Sequence, residues 1–200
     1  MAMLTPQHRL QRVVSPSAEP ITLAEAKTQM RVEHSDDDTI IARFIDVAIA
    51  FVDVNGALGK AMITQTWGEW LPSNLSTVTL TLGPVQSVAA IKYYDANNSL
   101  QTDTLSNYLV LGTPSFTTIR PKAGFNWPVT FARDDAIKIE YVIGYGDASS
   151  SVPQTIRQAL LLLVAHMYEN REIELIGTIS KTLPFGFDAL ISQERSSYYG

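Results

Sequence analysis

The chain of 200 residues contains no cysteine. Disulfides, thiolate metal sites and cysteine nucleophiles are therefore excluded. Histidine is scarce as well: only His8, His34 and His166 could serve as an imidazole base. No serine stands in a G-x-S-x-G elbow, and no phosphate-cradling glycine loop precedes a helix. Without a nucleophile–base pair the residues describe a protein that is not an enzyme. Charged residues make up 18% of the chain and sum to −5, which excludes broad nucleic-acid binding through a basic face. The opening stretch Met1–Gln11 is polar and lacks the apolar region of a secretory signal. The all-apolar run Ala159–Ala165 is far shorter than the roughly 20 residues that cross a bilayer. A soluble protein made in the cytoplasm, with no membrane partner, is expected.

What the chain does have is apolar content. At 46% hydrophobic, it can fill a core for one domain, or for one domain carrying a large insertion. Val152–Arg171 is the most demanding segment. Pro153 suits the first turn of a helix, and Ser151 is placed to cap it. From Ala159 to Ala165 every face is apolar, so this helix must be wrapped by other elements or by neighbouring subunits.

Residues 1–20 hold Pro6, Pro16 and Pro20 without periodicity and read as a loose, extended arm. Thr22 and Glu25 form a T-x-x-E capping box for a helix running to about Val32. A second helix is expected over about Asp37–Asn55, where Ile40, Ile41, Phe44, Ile45, Ala48, Phe51 and Val52 recur at helical spacing. Gly56 is placed to be its left-handed C-cap.

The period then changes. Ile63–Leu71, Thr77–Leu82, Val88–Tyr94, Tyr108–Leu111, Phe116–Arg120 and Ala136–Ile143 alternate or run as short β segments, with Gly83-Pro84 and Asp95–Asn98 as turns. The order helix, strand, helix gives an α+β fold. A helical core of two N-terminal helices and a long C-terminal helix carries an inserted antiparallel β meander or sandwich. The expected division is an arm at 1–20, a helical core at 21–62 and 151–180, a β domain at 63–150 and a tail at 181–200. A tail with Phe185, Phe187, Leu190, Tyr198 and Tyr199 but little length should dock on something.

Two clusters invite a chemical reading. Glu33, His34, Asp36, Asp37 and Asp38 could hold a divalent cation, but the pattern lacks a calcium loop's glycine and distal glutamate and fits a helix start better. Asp95–Ser99 reads as a hairpin turn for the same reason. His166 reads as a hydrogen-bonded core or interface residue. Trp67, Trp70 and Trp127, with Tyr93, Tyr94, Phe125 and Tyr145, read as core and interface anchors. The rival from another class is a stand-alone β-rich module that recognises a glycan or host surface through those tryptophans.

The joint order of several short motifs is more specific than any of them. Pro20–Lys27, Met30-Arg31-Val32 and Asp36-Asp37-Asp38 are followed by Gly56, Gln65-Thr66-Trp67, Gly83–Val88 and Tyr93-Tyr94-Asp95. Trp127-Pro128, Gly144-Tyr145-Gly146, Val152-Pro153 with Ile156, and His166–Arg171 complete the series. The chain so ordered resembles phage head–tail connector proteins, in the longer, β-containing branch of the head-completion or adaptor family of long-tailed phages and prophages. The resemblance implies a structural virion protein, made in the host cytoplasm and placed at the head–tail junction. It implies a ring of about twelve subunits that binds the portal and a tail or stopper protein. DNA would pass through without sequence-specific binding, and no cofactor or metal is implied. On that reading Phe44, Phe51, Leu160, Leu161, Leu162 and Leu163 pack subunits together. Phe185, Phe187, Leu190, Tyr198 and Tyr199 form a portal-docking tail that orders on binding.

Overall fold

The computed structural model describes residues 9–73, 76–170 and 185–196. The chain divides into two compact units, a β unit of residues 1–17 and 64–144 and a helical unit of residues 18–63 and 145–200. The architecture is α+β, with four α-helices and two antiparallel sheets among the described residues.

In the helical unit, α1 spans Leu23–Met30. Its capping box is closed in both directions: the Glu25 amide donates to Thr22 Oγ1 at 3.2 Å and the Thr22 amide to Glu25 Oε2 at 2.8 Å. Helix α2 covers Asp38–Val52 and buries Ile41, Ile45, Ala48 and Val52, the stripe its periodicity predicts. Gly56 does not cap it in the left-handed conformation. The amides of Ala57 and Leu58 instead reach back to the Phe51 and Val52 carbonyls, at 2.7 and 2.9 Å. A Cβ at Gly56 would lie 2.0 Å from the Phe51 oxygen, so glycine is needed there for close approach rather than for a positive φ.

Helix α3, Gln154–Glu169, begins after a short 3-10 turn at Ser149–Ser151, with Pro153 rather than Ser151 at the cap position. It buries Ile156, Ala159, Leu160, Leu163, Val164 and Met167. Helix α4, Phe185–Ser196, packs along it. Phe187 and Ile191 belong to the same buried cluster as Ile21, Ile45, Ile156 and Leu160. The tail expected to lack a core of its own thus shares the core of the helical unit. Polar ties reinforce α4: Lys60 Nζ donates to the Glu194 carbonyl at 2.6 Å and Thr155 Oγ1 to Glu194 Oε1 at 2.5 Å.

The β unit opens with β1, Arg9–Val14, inside the stretch expected to be a loose arm. It pairs antiparallel with β2, Gln65–Leu71, placing Arg9 opposite Trp70 and Arg12 opposite Trp67. The remaining strands are β3 (Val78–Thr79), β4 (Val85–Tyr94), β5 (Leu100–Asp103), β6 (Tyr108–Thr113), β7 (Phe116–Pro121) and β8 (Ile137–Ile143). They form one sheet in the order β1-β2-β8-β4-β5 and a second in the order β3-β7-β6. Strand β8 alternates cleanly: Ile137, Ile139, Tyr141 and Ile143 are buried, while Lys138, Glu140 and Val142 share the other face. On the buried face, the Glu69 carboxylate accepts from the Tyr141 hydroxyl at 2.9 Å and from Thr81 Oγ1 at 2.7 Å.

Candidate assembly surfaces

The residues with chemical potential turn out to be structural. Asp37 stands at the N-cap of α2 but does not cap it; its carboxylate accepts from the Tyr168 hydroxyl at 2.6 Å. Asp38 pairs with Lys27 at 2.6 Å. Glu33, His34 and Asp36 are exposed beside them, and among the described residues no three His, Asp or Glu side chains converge on a metal position. Asp95 is a turn residue: its Oδ1 accepts from the Asn97 and Ser99 amides at 2.9 and 3.0 Å, which holds the carboxyl below its ordinary pKa. The His166 carbonyl accepts from Asn170 Nδ2 at 2.9 Å near the end of α3. Tyr145 lies half-buried near Glu194, and burial above all, with that neighbouring charge, raises its pKa to about 12. No helix among the described residues is long and apolar enough to cross a membrane.

The tryptophans are committed to packing. Trp67 and Trp70 are 5% and 8% exposed. The Arg12 guanidinium lies over Trp67, and Arg9 and Lys138 over Trp70, each 5.1 Å from the ring centroid. Trp70 also stacks on Tyr94, with centroids 6.2 Å apart. Lys138 fits because residue 68 is glycine: a Cβ there would meet Lys138 Cε at 2.5 Å. Trp127 packs on Tyr108 at 4.9 Å and directs its indole N–H at the Ser76 carbonyl, 3.4 Å away. Neither Trp67 nor Trp70 presents the open face that sugar stacking requires.

The six residues expected to pack subunits separate into two groups. Leu160 and Leu163 are fully buried within the helical unit. Phe44, Phe51 and Leu161 lie half-buried at the edge of that core, and Leu162 is half-buried beside Gly186 of α4. Of the five tail residues, Phe187 is 1% exposed and Leu190 half-buried. Phe185 begins α4, though its side chain is not among those described, and Tyr198 and Tyr199 lie outside the described residues.

Two further surfaces escaped the sequence reading. In the β unit, the loop between β7 and β8 exposes Phe125, Val129 and Phe131, with Val129 at 84%. It rims a cleft of 760 Å³ with Trp127 and Pro128 in its wall. In the helical unit, a groove of 510 Å³ runs between the end of α2 and α4, lined by Ala50, Phe51, Ala57, Phe187 and Ile191. The one signal in the sequence was Trp127-Pro128-Val129 itself, an apolar triplet in a stretch without strand or helix periodicity.

Charge is also divided. Fourteen of the 20 acidic residues but only eight of the 15 basic ones fall in the helical unit, leaving the β unit close to neutral. The apolar shelves and the uneven charge distribution are surfaces of the kind that association with other chains covers. Residues 20–113 match the model of the phage gp6-like head-tail connector protein family. No protein with a curated description matches it. Among solved structures, the fold is similar to a chain in the neck of an empty gene transfer agent (GTA) particle computed with C6 symmetry. That match has a TM-score of 0.74 at 22% identity and covers 94% of this chain and 95% of the other. A chain of the native GTA virion matches with a TM-score of 0.72, 22% identity and coverage of 93% and 94%. A chain of the native GTA neck computed with C12 symmetry gives 0.68, 20% identity and 94% of both chains.

Proposed function

We propose that this chain is the connector subunit at the head–tail junction, or neck, of a phage-like particle, assembling as a ring that continues the DNA channel from the portal to the tail. The family match over residues 20–113 carries the reading. The fold shared with chains from GTA necks, solved with C6 and C12 symmetry, supports a ring. A ring needs a head-to-tail contact between two different patches of one subunit. Phe44, Leu161 and Leu162 offer apolar surface for such a contact at the rim of the helical core. Leu160, Leu163 and Phe187 serve the subunit's own fold. In this reading the C-terminal stretch, through Phe185, Leu190, Tyr198 and Tyr199, meets the portal. The acidic excess of the helical unit suits a wall past which DNA slides, because like charge keeps phosphate from adhering.

The test is reconstitution. Purified chain mixed with the portal protein of the same particle, imaged by cryo-electron microscopy, should show a ring of about twelve copies seated on the portal. A chain that stays monomeric and leaves the portal bare at high concentration overturns the reading.

A further inference from the structure

We infer that the β7–β8 loop of one copy seats in the α2–α4 groove of a second copy, and that this contact closes the ring; the inference rests on the ring reading above. The loop is built as a prong. Its base is held by backbone bonds from the Lys122 amide to the Asn107 carbonyl at 2.8 Å and from the Phe131 amide to the Tyr94 carbonyl at 3.0 Å. The Phe125 amide closes a turn on the Lys122 carbonyl at 3.0 Å, through Gly124 with φ +87°. Trp127, pinned between Tyr108 and the Ser76 carbonyl, fixes the middle. A loop so held presents Phe125, Val129 and Phe131 to solvent with little conformational entropy left to lose on docking. Three large apolar side chains exposed on one loop make the kind of patch that association covers.

The groove is the matching receptor. Phe51 and Phe187, with centroids 6.0 Å apart, and Ile191 make an apolar floor, and Asp188 and Arg195 stand on its α4 rim. Charge selects the occupant. Arg120 and Lys122, at the foot of the prong, are exposed and make no ion pair among the described residues. Asp188 is exposed and equally without an ion pair among them, on a unit that carries most of the chain's acidic residues. At the loop's other foot, past Phe131, the exposed Asp134 answers Arg195. A prong with one basic foot and one acidic foot thus meets a groove with an acidic end and a basic end. Because prong and groove are different patches, each copy offers one of each, and the contact propagates head to tail instead of stopping at a dimer.

The absence of cysteine makes a direct test available. Val129→Cys and Ser192→Cys place one thiol on the prong and one on the groove. Two single variants mixed with portal and oxidised should give a disulfide-linked heterodimer, and the double variant should give a ladder of multimers on a non-reducing gel. In parallel, Lys122→Glu should weaken ring assembly on portal at least tenfold, and adding Asp188→Lys should restore it. Rings that form normally without any ladder, a disulfide confined to one chain, or a Val129→Asp variant that assembles like the parent would each overturn the contact while the ring reading stands. If no ring forms on portal with the parent chain, it is the ring reading that fails, and the contact falls with it.

Discussion

The Tyr168 hydroxyl donates to the Asp37 carboxylate at 2.6 Å, tying the end of α3 to the start of α2 across 131 positions of sequence. A hydrogen bond to a charged acceptor contributes more than one between neutral groups. Tyr168→Phe deletes only the donor and keeps the ring in place. The variant should lose about 1.5 kcal/mol of unfolding free energy in urea titration, with an unchanged slope. Asp37→Asn should lose less, because the amide oxygen can still accept. Equal stability of Tyr168→Phe and the parent would mean that water replaces the hydroxyl at no cost.

Phe187 tests whether α4 is part of the fold or an appendage. Its ring is almost fully buried against Phe51. Phe187→Ala should therefore cost about 3–5 kcal/mol of global stability, as for other buried aromatics. If α4 were only a docking arm, the same change would leave the urea midpoint untouched and would appear only when portal is added. Leu190→Ala, at a half-buried position, should cost less than half as much.

How much of this was legible beforehand follows from the range of the interactions involved. Helices α1, α2 and α3 and strand β8 announce themselves because capping and periodicity are local: Thr22 and Glu25 are three residues apart, and Ile137, Ile139, Tyr141 and Ile143 alternate without a break. Strand β1 does not, because R-L-Q-R-V-V has no apolar face of its own. Arg9 and Arg12 become sheet residues only by lying on Trp70 and Trp67, more than fifty positions away. Gly56 misled for a related reason: a glycine after a helix suggests a positive φ, whereas this one makes room for the Phe51 carbonyl. Among the packing residues, Leu160 and Leu161 look alike in the sequence. Only the placement of α1, α2 and α4 around α3 separates the buried one from the half-exposed one. Phe125 and Val129 were unreadable as a surface because loops give no periodicity from which to infer a face.

Glu140 sets an acid limit on the β unit. It bridges Lys92 at 2.9 Å and Lys138 at 2.8 Å, two lysines directly opposite each other on β4 and β8. Burial pushes the Glu140 carboxyl up, but the hydrogen bonds and charges of the two lysines outweigh it and hold the pKa below the ordinary glutamate value of 4.5. A carboxylate with a depressed folded-state pKa adds stability above its unfolded value, and that stability is lost as the pH falls through the folded value. The parent should therefore lose stability as the pH drops below 4.5, and Glu140→Gln should flatten that arm. At pH 7 the variant should be less stable by about 1 kcal/mol, since the amide leaves the two ammonium groups opposed. Thermal melts of both proteins between pH 3 and 7 supply the comparison; parallel profiles would exclude Glu140 from the acid transition.

The apolar helix α3 offers the sharpest contrast between folding and assembly, because neighbouring leucines face different surroundings. Leu160 is enclosed by the unit's own core, so Leu160→Asp buries an uncompensated charge and should abolish folding, giving insoluble or protease-sensitive material. Leu161 is half-exposed at the rim, where an aspartate side chain can reach water. Leu161→Asp should keep a cooperative melt within a few degrees of the parent, equivalent to about 1 kcal/mol. If the rim of α3 packs against a neighbouring subunit, the same variant should fail to form rings on portal, because the charge would then be trapped in an interface. Sedimentation velocity with and without portal, read beside the melts, separates the two effects. A folded Leu161→Asp that assembles normally would assign the rim of α3 to solvent and leave the ring contact to other surfaces.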